Sequence, residues 1–164
     1  MIALVRVDNR LLHGQILEAW LPRLGADEVV VVDDEAARSP LARAAMTLCL
    51  PPELPARIVP LAEADFPALA AAPAKVVVLL RDVPALVRAH AQGLTPALAP
   101  TVNLGNVHFG PDRRPCTPSV FLDGPDVASL RALSAAGFQV EARAIPSEPP
   151  AGLAEIERRY AQSR

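Results

Sequence analysis

Short runs that are almost wholly apolar alternate along the chain with longer stretches whose apolar residues recur three or four positions apart. The short runs fall at residues 2–7, 28–32, 57–59, 75–80, 101–104, 119–122 and 138–144, and they read as strands. Near-continuous apolarity, clearest over 75–80, predicts strands covered on both faces, as in a parallel sheet. The longer stretches read as helices. Over 14–24, Ile16, Leu17, Trp20, Leu21 and Leu24 share a helical spacing, Pro22 strains the last turn, and Gly25 offers a stop. Ser39-Pro40 opens a helix through Leu48 that Pro51-Pro52 ends. Further helices are expected over 61–71, restarted at Pro67, over 84–92 with Gly93 as cap, and from Gly124 to a stop at Gly137. Residues 33–39 and 105–118 read as loops. Residues 146–150 read as an extended connector to a last helix with Leu153, Ile156 and Tyr160 as its stripe. The pattern predicts an α/β fold: one domain over residues 1–164, with a mainly parallel central sheet of about seven strands and helices on both faces.

Composition narrows the function classes. No apolar run approaches the roughly 20 residues of a membrane-spanning helix, and the first residues lack a basic leader before a longer apolar stretch. A soluble, cytoplasmic protein is expected. The net charge of -2 and the scattered arginines provide no nucleic-acid footprint. Cys49 and Cys116 lack CxxC spacing and suit free thiols in a reducing compartment, so no structural metal site is expected. Gly105, Gly110 and Gly124 are too scattered for a dinucleotide fingerprint, and no Gly-Lys-Ser/Thr loop occurs, which argues against direct use of ATP.

Ligands of open parallel sheets bind at the carboxyl ends of the strands, so the loops at 8–14, 33–39, 81–82 and 105–118 matter most. In the first, His13 stands where the loop turns into a helix, beside Gly14, which has no side chain to block an incoming group. An anion such as a phosphoryl group on His13 would meet the free amides and positive dipole end of that helix. Arg10 can add a forked pair of charge-assisted bonds to phosphoryl oxygens, whereas Arg6 belongs to the strand. Asp8 can accept from Arg10 or from one imidazole nitrogen, leaving the other nitrogen as the nucleophile. His108 and the carboxylate of Asp33 stand in other strand-end loops and can line the same crevice. Asp33, Asp34 and Glu35 suit solvated strand-end acids better than a Mg²⁺ site, and His90, inside a helix, suits a structural role.

The stretch Leu4-Val5-Arg6-Val7-Asp8-Asn9-Arg10-Leu11-Leu12-His13-Gly14-Gln15, with Trp20 following, resembles the cytoplasmic IIB component of the mannose/fructose/sorbose phosphotransferase family. The likeness continues in Val31-Val32-Asp33-Asp34-Glu35, Asn103-Leu104-Gly105 and Val140-Glu141-Ala142-Arg143-Ala144-Ile145-Pro146, covering nearly the whole chain in order. It implies that His13 accepts phosphoryl from a IIA partner and donates it to sugar at a membrane IIC/IID complex. Arg10 would assist, Gly14 and Gln15 would hold the phosphoryl group, and no metal or organic cofactor would take part. Asn103 and Gly105 join Asp33 and His108 as residues of the crevice. The chain departs from the family in carrying Asn106 where a second glycine is common, in the turn Leu50-Pro51-Pro52-Glu53-Leu54, and in the basic, proline-rich Pro111-Asp112-Arg113-Arg114-Pro115. Arg113 and Arg114 are expected as the charged rim of a docking surface. A regulatory relay with the same histidine chemistry, a non-catalytic binding module and a homo-oligomer all stay open.

Overall fold

The computed structural model describes residues 1–163. Strand β1 (Ile2–Asp8) lies at the centre of a seven-stranded sheet, between β4 (Val76–Leu80) and β5 (Thr101–Asn106), both parallel to it. Beyond β4 come β2 (Glu28–Val32) and β3 (Ala56–Val59); beyond β5 come β8 (Gln139–Ala142) and β9 (Ala151–Gly152). All pairings are parallel except β8 with β9. The mainly parallel α/β sheet read from the apolar runs is therefore present.

Helices cover both faces, which is why the central strands carry apolar side chains on both. Val5, Val7, Val78 and Leu80 pack with α4 (Phe66–Ala71), α5 (Val83–Ala91), α6 (Gly124–Ala135) and α7 (Leu153–Gln162), through residues such as Phe66, Leu86, Leu130 and Ile156. Leu4, Val29, Val31 and Leu79 pack on the other face with Ile16, Trp20, Leu21 and Met46. No described helix is long and apolar enough to cross a membrane.

Local signals in the sequence have identifiable consequences. Pro22 has no N–H to return to the carbonyl of Glu18, and the segment before it winds as a π-helix over Ile16–Trp20, with Leu21 N–H reaching Ile16 O. α1 (Leu21–Leu24) follows and closes at Gly25, whose left-handed φ of 61° suits a residue without Cβ. Ser39 caps α3 (Pro40–Leu48) by accepting from Ala42 N–H.

The structure corrects three expectations. Residues 34–38 form a short helix, α2 (Asp34–Arg38), because the Asp33 carboxylate caps it by accepting from Ala36 N–H at 2.7 Å. The expected loop after β5 contains β6 (Arg114–Thr117), which turns back antiparallel on β7 (Val120–Leu122). Residues 119–122 thus belong to a hairpin outside the main sheet. The seventh place in that sheet goes to β9, which lies just beyond the extended connector; two residues are too few to leave a periodic signal.

Candidate functional site

The loop after β1 is held in an unusual shape. Asp8 O accepts from Leu11 N–H at 2.9 Å, closing a turn, and Leu11 adopts a left-handed φ of 57°. Such a backbone is strained for a residue with a side chain. It persists because Leu11 and Leu12 are both buried among the apolar residues beneath α1. With two leucines anchored inward, the chain emerges at His13, whose carbonyl accepts from Ile16 N–H at 3.0 Å and starts the helix. The side chain of His13 is 18% exposed.

Asn9 ties this loop to its neighbours. Its N–H donates to Asn106 O (2.9 Å), its Nδ2 to Arg81 O (2.7 Å), and its Oδ1 accepts from the backbone N–H of His108. One side chain thereby joins the carboxyl ends of β1 and β4 to the loop that follows β5.

Asp8 is the centre of the site. Fully buried, its Oδ2 faces Nε2 of His13 at 3.0 Å and accepts from Arg6 Nη2 (3.0 Å) and Arg10 Nη2 (3.2 Å). Oδ1 accepts from Arg10 N–H (3.0 Å) and Arg10 Nε (3.1 Å). Burial by itself would raise the Asp8 pKa, but the hydrogen bonds from His13 and Arg10 and the charge of Arg6 outweigh it and hold the carboxyl at about 2. Asp8 is therefore a carboxylate at neutral pH. It fixes the proton of a neutral imidazole on Nε2 and leaves the Nδ1 lone pair free.

A second tier supports the first. Arg6, Asn103 and Glu141 stand in register on β1, β5 and β8 and form a polar row across three strands. Arg6 Nη1 donates to Asn103 Oδ1 (2.7 Å) and to Arg143 O (3.2 Å), while Asn103 Nδ2 donates to Glu141 Oε1 (3.3 Å). Trp20 lies against both Arg6 and Arg143, with their guanidinium carbons 5.2 and 5.3 Å from its ring. Gln15 Oε1 accepts from Arg10 Nη2 (3.1 Å) and Arg6 Nη2 (3.4 Å), which leaves its amide N–H groups available. The first-turn amides of Gly14 and Gln15 have no carbonyl to bond within the helix, and Gly14 is exposed, with no atom within 4 Å of where a Cβ would stand.

His13, Arg10, Asp8, Gly14 and Gln15 thus stand together, with Asn103 and Gly105 beneath rather than facing solvent. Asp33 does not join them. It pairs through both oxygens with Arg81 (2.7 and 2.8 Å) in a separate cleft of about 240 Å³ that Arg38 and Arg88 also line. His108 is exposed and enters the site only through its backbone. His90 is bound within the fold, its Nδ1 2.8 Å from Leu94 O and its ring edge-on to Phe138. Arg113 is not a free rim charge: its guanidinium turns inward to Asp126 (3.5 Å) and Asp123 (4.0 Å). Arg114 stacks over Tyr160. The sequence reading missed Arg6, Asn9 and Arg143 as parts of the site. For Arg6 a signal existed, since a charged residue in the middle of an apolar parallel strand requires a buried partner.

This arrangement presents one approachable imidazole nitrogen, a partly exposed guanidinium and unbonded helix amides around one point, which suits accepting and releasing an anionic group. Among the described residues no group of three His, Cys, Asp or Glu side chains is placed to hold a metal ion.

Comparisons with known proteins bear on the family and the fold of the chain. Residues 2–163 match the profile of the PTS system sorbose subfamily IIB component. The chain is 28% identical over 155 residues to N-acetylgalactosamine-specific phosphotransferase enzyme IIB component 2 of Escherichia coli K12, covering 94% of this chain and 98% of that protein. It is 26% identical to the mannose-specific EIIAB component of the same strain, covering 95% of this chain but only 48% of that longer protein. The crystal structure of the IIBSor domain of the sorbose permease from Klebsiella pneumoniae superposes with a TM-score of 0.84 at 25% identity, over 96% of this chain and 97% of that one.

Proposed function

The chain belongs to the sorbose subfamily of phosphotransferase-system IIB components, and from that membership we propose that it carries a phosphoryl group on Nδ1 of His13 between a IIA donor and a sugar. The observation that carries this reading is the 3.0 Å contact between His13 Nε2 and Asp8 Oδ2, which assigns the proton and frees the other nitrogen. In the first transfer the Nδ1 lone pair attacks phosphorus of the donor's phosphohistidine; the donor N–P bond breaks and its electron pair returns to the donor imidazole. Asp8 stabilises the charge that develops on the His13 ring. The guanidinium of Arg10, the amides of Gly14 and Gln15 and the side-chain amide of Gln15 bind the phosphoryl oxygens. In the second transfer a sugar hydroxyl attacks phosphorus, the Nδ1–P bond breaks with its pair returning to Nδ1, and the hydroxyl proton leaves to a base of the sugar-binding partner or to water. That partner is a membrane IIC/IID complex, and the chain works at its cytoplasmic side.

The test is phosphorylation by an energised IIA component followed by ³¹P and ¹⁵N NMR of the product. Phosphorus coupled to Nδ1 of His13 is expected. Label on another residue, or none with a donor active towards a known IIB component, overturns the reading.

A further inference from the structure

Two arginines converge on the single carboxylate of Asp8, and they are held in opposite ways. The side chain of Arg6 is wholly buried, while that of Arg10 is 38% exposed. Besides Asp8, the Arg6 guanidinium is bonded to Asn103 Oδ1 and Arg143 O, stacks against Trp20 and lies over Gly105, where a Cβ would come within 1.8 Å of its Cζ. Among the described residues the Arg10 guanidinium is bonded only to Asp8 and Gln15.

We propose that the two divide the work: Arg6 is a fixed counter-charge that stays on Asp8, and Arg10 is the exchangeable one that passes from Asp8 to the phosphoryl group. The proposal deepens the phosphocarrier reading and rests on it. Without Arg6, departure of Arg10 would leave the buried carboxylate with no guanidinium partner and only the charge developing on the His13 ring, so Arg10 could not be released at low cost. With Arg6 in place, Asp8 keeps a charged partner and its hold on His13 Nε2 throughout the transfer. Gln15 Oε1, shared by Nη2 of both arginines, marks the point between the two positions. Arg6 is thus a positioning residue, acting through Asp8 on His13.

The charged groups around the imidazole are Arg6 and Asp8 on β1, Arg10 in the loop, and Glu141, Arg143 and Glu148 around the end of β8. Arg143 is paired with Glu141 at 3.1 Å, and Glu148 accepts from Ala144 N–H. Removing Arg6 therefore leaves Arg10 as the guanidinium that compensates the Asp8 carboxylate.

The experiment is the single-turnover rate of transfer from the IIA donor for Arg10→Ala in the wild-type, Arg6→Met and Arg6→Lys backgrounds, with folding checked for each protein. A scaffold residue without this electrical role would leave the effect of Arg10→Ala the same in every folded background. In the Arg6→Met background, Arg10→Ala should slow transfer by a clearly smaller factor than in the wild type, because Arg10 is already confined to Asp8. If Arg6→Met does not fold, Arg6→Lys carries the test: Arg10→Ala should then cost the same factor as in the wild type. Equal factors for Arg10→Ala in the wild type and folded Arg6→Met, or a collapsed factor in Arg6→Lys, overturns the division. Absence of label on wild-type His13 overturns the phosphocarrier reading instead.

Discussion

Gly105 is the floor on which the Arg6 guanidinium rests: a Cβ added there would lie 1.8 Å from Arg6 Cζ and 2.1 Å from Nη2. The end of an arginine side chain usually yields to such a clash, but this one is buried and bonded to Asp8 and Asn103. Gly105→Ala is therefore expected to destabilise the fold by about 2 to 4 kcal/mol, because displacing the guanidinium leaves Asp8 and Asn103 with unmet partners. Chemical denaturation measures it, and a loss under about 0.5 kcal/mol would mean that Arg6 relocates freely.

His13→Ala should abolish phosphoryl acceptance while leaving the fold intact, since it removes the proposed nucleophile from a loop and Asp8, its hydrogen-bond partner, keeps both arginines. The bound phosphoryl group should be acid-labile and alkali-stable, as a phosphoramidate is. Undiminished labelling of the variant, checked by peptide mapping, would place the acceptor elsewhere.

Arg10→Ala should slow transfer roughly a hundredfold, the scale of removing a preorganised charge-assisted donor from a transition state. Arg10→Lys should recover part of this, because a point charge cannot reproduce the fork that spans Asp8 and Gln15. Single-turnover rates at saturating donor separate this effect from weakened docking; equal rates in all three proteins would remove Arg10 from the mechanism.

Acid should weaken the fold through Asp8. Its native pKa of about 2 lies below the ordinary 3.8, so its share of stability is complete above pH 4 and is lost as the pH falls through about 2. That share is about 2 kcal/mol. Asp33 adds in the same direction: its burial raises the pKa, but the bonds and charge of Arg81 together with the backbone N–H groups of Ala36 and Glu35 lower it by more. Asp8→Asn should cost about 3 to 5 kcal/mol at pH 7, since Arg6 then stays buried without a counter-charge. Its stability should also fall less steeply between pH 4 and 2, as denaturation across that range will show.

The loop after β5 should serve docking through an aromatic residue rather than through arginines. Phe109 is 76% exposed and braced edge-on by Phe121 at 5.8 Å, and the neighbouring His108 backbone is bonded to Asn9 of the His13 loop. Phe109→Ala should weaken affinity for the IIA donor about tenfold with no change in melting temperature. Arg113→Glu should instead destabilise the loop, because it sets a carboxylate against Asp123 and Asp126. Unaltered donor affinity in Phe109→Ala would take this loop out of the docking surface.

Much of the fold was legible because its signals are local. Buried parallel strands need apolar residues on both faces, so β2 and β4 stand out as valine and leucine runs. Ser39, Gly25 and Pro22 act within a turn of their own position. Of the hairpin only β7 was legible as a strand; β6 was not, since Pro115 lies within it and Pro118 follows it, and its pairing depends on a partner and not on its own pattern. Nor was the left-handed Leu11, which is held by burial of its side chain rather than by a turn residue.

By itself the sequence determined an α/β sheet and one loop bearing Asp8, Arg10 and His13, because residues within five positions of one another share a loop, and burial of Leu11 and Leu12 then folds that loop so that they meet. Only the tertiary structure decided what stands beneath that loop. Arg6 meets Asn103 and Arg143 across 97 and 137 residues, and those contacts exist because β1, β5 and β8 lie side by side in the sheet. Strand order is set by the packing of the whole domain, and a buried charge takes whatever partner that order brings to it.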